Sequence, residues 1–379
     1  MTTRKLLIRT LLLTCILGFA INAQGQKKLL EKLTSNSADT TRSASFLPIP
    51  AIGYAQETGW EFGLVTIYSF YTDRKDTLTR SSTLSAAATF TTKKQSNFLI
   101  RNDIWTPQNK YHHLEEIRYK NFPFYYYGVG NQTLAADKEL LNQKMFKLKG
   151  ELQKRLGKAS YTGINVNFEN YSYSVINNSG TQTPGSKIQG GKVAFAGISQ
   201  TFDNRNINTY TTKGLYVNLN YSYAPNLFGK DNFTGSLLKL NVRQFTPLSK
   251  KLVLALNANY ESLFGNSHPF YLLRQLGNDE LMRGYYSGRY RDANYIAAQG
   301  ELRYRFLPRL GIVGFAGQGS VYKKNGFKVS DLKPSYGGGL RYFFDVDRGL
   351  SIRVDYGIGE KPANEKRQKG MYISLAEAF

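Results

Sequence analysis

From Leu47 onward, apolar and polar residues alternate with a period of two, the pattern of strands that bury one face. Leu215, Val217, Leu219, Tyr221 and Tyr223 alternate with Tyr216, Asn218, Asn220 and Ser222. Ile164, Val166 and Phe168 alternate with Asn165, Asn167 and Glu169, and Leu238, Leu240 and Val242 with Lys239, Asn241 and Arg243. Many of these segments run about 10 to 14 residues, whereas strands of globular proteins run ~5–6. The longer span suits a tilted membrane-crossing strand of ~9–11 residues whose ends reach the headgroups. Aromatics gather near segment ends, as in Tyr68, Phe70 and Tyr71, then Tyr171 and Tyr173, then Tyr221 and Tyr223. Interfacial girdles of a membrane barrel need that placement. A soluble sandwich explains the alternation but neither the lengths nor the aromatic ends.

The pattern predicts strands at 47–54, 59–71, 81–91, 96–106, 112–120, 140–156, 160–173, 190–203, 214–224, 233–246, 251–262, 294–306, 310–322, 334–344, 350–357 and 370–379. These make an all-β, 16-stranded antiparallel transmembrane β-barrel, with the even strand number of closed bacterial barrels. With a periplasmic N-terminus, every second connection is a periplasmic turn and should be short. The links 107–111, 157–159, 247–250, 307–309 and 345–349 are short, and the opposite links 121–139, 174–189, 263–293, 323–333 and 358–369 are long. Residues 55–58 are short for an outer loop and 204–213 long for a turn.

Arg4, Lys5 and Arg9 precede the apolar run Leu11 to Ala20, and Ala23 stands before Gln24. This reads as a signal peptide over 1–23. Residues 24–45 form a short periplasmic lead or plug, and 46–379 the outer-membrane barrel. The only Cys is Cys15, so disulfide frameworks and Cys-rich zinc sites are excluded. The formal charge of +23 falls to +20 once Arg4, Lys5 and Arg9 are removed. That sign alone would suit nucleic acid, but export makes nucleic acid an unsuitable partner and leaves anionic membrane lipid.

Projected along the strands, Lys147, Lys149, Arg155, Lys239, Arg243, Arg303, Arg305, Arg341 and Arg353 point into the lumen. Glu151, Glu169, Glu301 and Asp355 share that face, so a basic interior is expected. His112 and His113 fall at a strand start and His268 in the long loop, none in a metal-binding spacing. No nucleophile elbow is present. The reading is a barrel without catalytic residues, cofactor or metal. The run from Phe122 to Gly130 (FPFYYYGVG) reads as an aromatic girdle continuing into an ordered loop.

Leu273–Phe306 (LRQLGNDELMRGYYSGRYRDANYIAAQGELRYRF) contains Arg283-Gly284-Tyr285, followed on the next strand by Glu301 and Arg303. The closing part, GGGLRYFFDVDRGLSIRVDYGIG, ends downstream at Phe379. These segments resemble the BamA/TamA-type outer-membrane assembly superfamily, the bacterial surface antigen barrels. The resemblance matches the R-G-[FY] motif of the sixth extracellular loop, the E-x-R strand after it, and a C-terminal β-signal ending in Phe379. It implies that Leu273–Asp292 folds back into the lumen with Arg283 held by an inward carboxylate. Many relatives have Asp where Gly317 falls, so the partner here must be another acid, Glu301 first and Asp355 second. Arg289, in the same loop, is expected to be replaceable. The 22 residues of the lead have no room for a POTRA domain.

The resemblance further implies an integral barrel of the Gram-negative outer membrane working in biogenesis: insertion or translocation of proteins, or movement of lipid. The means in relatives is a weak seam between first and last strands, to which a client strand adds. Pro48 and Pro50 in the first predicted strand remove ladder donors there. The implied partners are outer-membrane lipid and lipopolysaccharide, periplasmic accessory proteins and client outer-membrane proteins. The alternative is a passive anion-leaning pore or structural barrel.

Overall fold

The computed structural model describes residues 42–177, 190–229, 232–265, 267–346 and 349–379, so the leader and most of the lead lie outside the described residues. The strands are β1 Ser45–Ala55, β2 Gly59–Phe70, β3 Ser82–Thr91, β4 Ser96–Trp105, β5 Tyr111–Tyr126, β6 Glu139–Arg155, β7 Ser160–Asn177, β8 Gly191–Asp203 and β9 Gly214–Ala224. There follow β10 Gly235–Pro247, β11 Leu252–Gly265, β12 Arg274–Gln275, β13 Arg291–Asp292, β14 Asn294–Tyr304, β15 Leu310–Tyr322, β16 Lys333–Asp345, β17 Leu350–Ile358 and β18 Lys369–Leu375. Sixteen of them close into one antiparallel barrel in chain order, while β12 and β13 form a separate two-stranded ribbon within the long loop. Outward positions such as Ile52, Phe62, Leu64, Ile100, Ile164, Val166, Ile198, Leu219 and Leu340 are exposed and apolar. They form the belt that hydrocarbon would cover.

Several strand ends depart from the periodicity, among them β7, which runs on to Asn177. β5 continues to Tyr126, because Phe122, Phe124 and Tyr126 on its inner face find apolar partners inside the barrel. The aromatic run is therefore a floor for the long loop more than a girdle. β18 stops at Leu375 where a strand to 379 was expected; Ala376 takes a positive φ of 64° and turns the tail inward. The alternation of link lengths also fails early. Residues 71–81 are a long link on the rim that otherwise carries short turns, and 92–95 a short one on the opposite rim.

That extra link and 204–213 cross the short-turn mouth and hold each other. Arg80 reaches Asp203 at 2.5 Å, with its guanidinium 4.8 Å from the Trp105 ring centre. Asn109 Nδ2 donates to Leu78 O at 2.7 Å, and the backbone N–H of Gln108 donates to Asp76 Oδ2 at 2.9 Å. At the same end Tyr210 packs edge-on against Phe343 at 5.0 Å. The short-turn mouth is thus covered by the chain's own loops.

β1 and β18 close the cylinder. β1 pairs with β2 along its whole length, including Pro48↔Thr66 and Pro50↔Leu64, but meets β18 at a single register pair, Tyr54↔Ile373. A proline fits a ladder only where its missing N–H points away from the paired neighbour. By the Tyr54↔Ile373 register, Ile52 lies opposite Leu375, the last residue of β18, so Pro48 and Pro50 stand on a stretch of the β1 edge that β18 does not cover.

Candidate functional site at the luminal loop and the seam

The long loop descends into the barrel in two apolar steps. Phe270, Tyr271, Leu272 and Leu273 are buried against Phe124, Tyr126, Val193, Phe195 and Phe233 of the wall. Deeper, Leu276, Leu281, Met282, Tyr285 and Tyr290 pack on Tyr295, Ala297 and Val321. The β12–β13 ribbon joins these steps and presents the 276–290 tip to β14–β17. The hydrophobic contacts bring the loop inside, and the charged tip then selects where it lands.

At the tip Arg283 is fully buried. Its guanidinium donates to Asp355 at 2.6 Å and pairs with Glu301, while its face lies 3.6 Å from the Phe315 ring centre. Both carboxylates named from the sequence thus meet Arg283, one on each side. Neither is left to it alone. Glu301 also takes Arg303 at 2.8 Å, and Asp355 takes Arg341 at 2.6 Å and Arg353 at 3.0 Å. Arg353 reaches back to the loop at Asp279, 2.6 Å away, and Ser374 of the last strand donates to the same carboxylate at 2.8 Å. A buried guanidinium is tolerated only where carboxylates pair with it, and here they come from two barrel strands, β14 and β17. Where Gly317 offers no carboxylate, Phe315 supplies a cation–π face.

Gly284 and Tyr285 seat the tip against the end of the chain. The Gly284 N–H donates to the Tyr372 hydroxyl at 3.0 Å, and that hydroxyl donates to Tyr285 O at 3.2 Å. The Tyr285 hydroxyl donates to Pro334 O at 2.6 Å and accepts from the Glu360 N–H at 2.9 Å. The tail completes the network. Glu377 accepts from Arg341 at 2.9 Å, Arg303 donates to Phe379 O at 3.0 Å, and the Phe379 ring lies 4.7 Å from the Arg303 guanidinium. Phe379 therefore acts inside the lumen, where the sequence had put it in the closing strand. No periodic signal marks Glu377, because it follows the turn that ends β18.

Other sequence expectations need correction. Arg289 is not a free loop residue: it is buried, pairs with Glu365 at 2.9 Å and donates to Thr133 O at 2.7 Å. Its partners sit in two loops, which period-two reasoning does not reach. Arg305 lies past the end of β14 at the short-turn rim, stacked 3.9 Å over Phe343. Lys239 sits 3.9 Å from Glu261, and Arg243 donates to Asn241 at 2.8 Å within 5.5 Å of the Tyr216 ring centre. The inner face also carries acids absent from the expected set. Glu116 meets Arg101, Arg118 and Lys147; Asp203 meets Arg80 and Arg205; Asp103 meets His112. The lumen is an interleaved ion network; these acids come with bases of their own, Arg80, Arg101, Arg118 and Arg205, so they do not remove the basic excess expected from the sequence. His112 stacks on Trp105 at 3.6 Å, and His268 bonds Leu263 O at 3.1 Å. Among the described residues, no group of three His, Cys, Asp or Glu is placed to hold a metal ion.

Beside the seam lies a cavity of about 400 Å³ lined by Tyr54, Glu57, Glu61, Lys120, Asp279 and Ile373. Glu57, in the first hairpin turn, accepts from the Ser287 N–H and so ties β1–β2 to the loop. Burial pushes its carboxyl up to about 7 from an ordinary 4.5, against the lowering effect of that N–H. The native state then holds this proton to higher pH than the unfolded chain. Its stabilising effect is complete below about pH 4.5 and is lost as the pH rises through about 7. We expect the barrel's heat-resistant compact form to melt at a lower temperature at pH 8 than at pH 5, the difference corresponding to about 3 kcal/mol at most. Glu57→Gln should flatten that profile; an unchanged slope would assign the pH dependence elsewhere.

The sequence matches the Omp85 superfamily domain over residues 65–379. The chain belongs to the Omp85 superfamily. This Omp85 barrel is similar in structure to BamA from Haemophilus ducreyi lacking POTRA domains 1–3, with TM-score 0.57, 13% identity, and coverage of 88% of this chain and 70% of that one. It is also similar to CdiB from Acinetobacter baumannii (TM-score 0.54, 12% identity, 92% and 67% coverage). CdiB from Escherichia coli gives TM-score 0.56 at 10% identity, with 92% and 69% coverage. At such identities the likeness concerns the fold. None of the curated proteins compared matches the sequence. An Omp85 barrel is an integral outer-membrane protein, in keeping with the exposed apolar belt.

Proposed function

We propose that this Omp85 barrel serves outer-membrane biogenesis by opening the β1–β18 seam to a client strand, with the short-turn rim and the N-terminus facing the periplasm. The observation that carries the reading is the closure itself. One register pair, Tyr54↔Ile373, joins strands whose other neighbours pair along long ladders. Unpaired N–H and C=O groups on two facing edges are a template for an added strand. The long loop and Ser374 meet at Asp279, so movement of the loop is coupled to the last strand. The clients are outer-membrane proteins or lipid, lipopolysaccharide surrounds the barrel, and periplasmic accessory proteins deliver to the short-turn rim. The orientation follows from the concentration of short turns on one rim.

The test is a Tyr54→Cys/Ile373→Cys disulfide. Oxidised, it should slow assembly or export of at least one outer-membrane component, and reduction should restore it. If locking leaves every outer-membrane protein and lipid level unchanged, the seam is not a gate. A passive pore would instead show steady conductance in planar bilayers with anion preference. The covered mouth weighs against that outcome.

A further inference from the structure

The lipid-facing belt is interrupted by an acid on β5. On β4 the outward series runs Phe98, Ile100, Asn102, Ile104, and on β5 it runs Tyr119, Ile117, Glu115, His113. The pairings Asn102↔Glu115 and Ile104↔His113 put the three polar residues side by side. On the far side Glu115 faces Gly150 and His113 faces Leu152, so Leu148 and Leu152 of β6 continue the apolar belt past them. Gly150 leaves a hollow beside the acid, since an added Cβ would meet only Val166 and the Glu115 stem at ordinary contact distance. The Glu115 side chain is 41% exposed, and its one ion-pair contact among the described residues is His113 Nδ1 at 4.0 Å. A carboxylate turned toward hydrocarbon is costly and marks a site with a partner.

Directly adjoining lies an apolar trench of about 320 Å³. Ala86 and Ala88 lie within it, and Leu64, Phe98, Ile100, Ile117 and Tyr119 wall it. Leu84 and Ala86 of β3 pair with Asn102 and Ile100, so trench and polar notch are successive steps along the same strands. The notch lies toward the short-turn end of β5, and the trench runs from it toward the opposite rim.

We propose that notch and trench together bind one membrane lipid whose headgroup bears a primary ammonium. The ammonium donates to the Glu115 carboxylate and an acyl chain fills the trench over Ala86 and Ala88. Charge complementarity chooses the headgroup. A primary ammonium offers three N–H donors, whereas a quaternary one offers none and an acidic lipid would be repelled. The site is independent of the seam and of the luminal loop.

The test uses the full barrel in bilayers of equal phosphatidylethanolamine and phosphatidylcholine with matched chains, reading retained lipid by native mass spectrometry. The ethanolamine lipid should be retained about tenfold over the choline lipid, the value of one charge-assisted hydrogen bond. Glu115→Gln should bring the ratio to near one while total retention persists. Ala88→Phe should cut retention of both lipids by filling the trench. Heat-resistant mobility on gels checks that each variant is folded. Equal retention by the unaltered barrel, an unchanged ratio in Glu115→Gln, or occupation of this face by a second barrel would each overturn the proposal.

Discussion

Arg283→Ala should lower the temperature at which the compact, heat-resistant form is lost, by the equivalent of about 3 kcal/mol. This is the low end of what breaking a buried ion pair costs, for a reason visible in the site. Glu301 keeps Arg303, and Asp355 keeps Arg341 and Arg353, so neither carboxylate is stranded. What is lost is the link between the loop tip and β14 and β17, together with the stacking on Phe315. Arg283→Lys should recover little, because an ammonium lacks the planar fork that reaches both carboxylates at once and the face that lies over Phe315. In a double-mutant cycle with Asp355→Asn the two losses should fall well short of additive. Arg289→Ala should also destabilise, though less, since its Glu365 partner is partly solvated. Arg283→Ala melting with the unaltered barrel would show that the apolar descent of the loop alone holds it.

Gly357→Ala should have an effect at least as large, through packing with no charge involved. A Cβ at Gly357 would stand 2.5 Å from the Arg283 carbonyl carbon and 2.6 Å from Gly284 N, both backbone atoms that have nowhere to retreat. The facing change, Gly284→Ala, meets the Gly357 carbonyl carbon at 2.8 Å and adds the strain of a φ of +107°. Each should cost about 3 kcal/mol or more. Each should also expose the tip to protease while leaving the barrel strands protected. Gly314→Ala is the control. Nothing lies within 4 Å of its added Cβ, so it should stay within about 0.5 kcal/mol of the unaltered protein. If Gly357→Ala melts like Gly314→Ala, the close approach of loop and wall is not a constraint on stability.

Much of this architecture was legible because strand alternation is a local signal. Asn165, Asn167 and Glu169 declare one face and Ile164, Val166 and Phe168 the other without reference to any distant residue. Summing such segments yields sixteen strands. The same parity put Glu301 and Asp355 on the inner face, where a buried Arg283 needed carboxylates. Parity failed where residues leave strands: Glu377 follows the turn at Ala376, Glu365 and Thr133 belong to loops, and Arg305 lies beyond β14. The expected lumen set also left out Glu116 and Asp203, although both lie within strands predicted at 112–120 and 190–203 and their inward parity was legible there.

The sequence by itself determined which residues face the membrane and how many strands close the barrel, and its resemblance to a known family implied that the Arg283 loop would meet acids inside it. Tertiary structure alone decided that one arginine bridges two carboxylates, that Gly357 is the wall against which Gly284 rests, and that β1 meets β18 at one register pair. Parity along a strand is fixed by backbone geometry between neighbouring residues. Where a loop tip lands and how a cylinder closes depend on register carried around sixteen strands, to which every pairing contributes and no single segment holds the record.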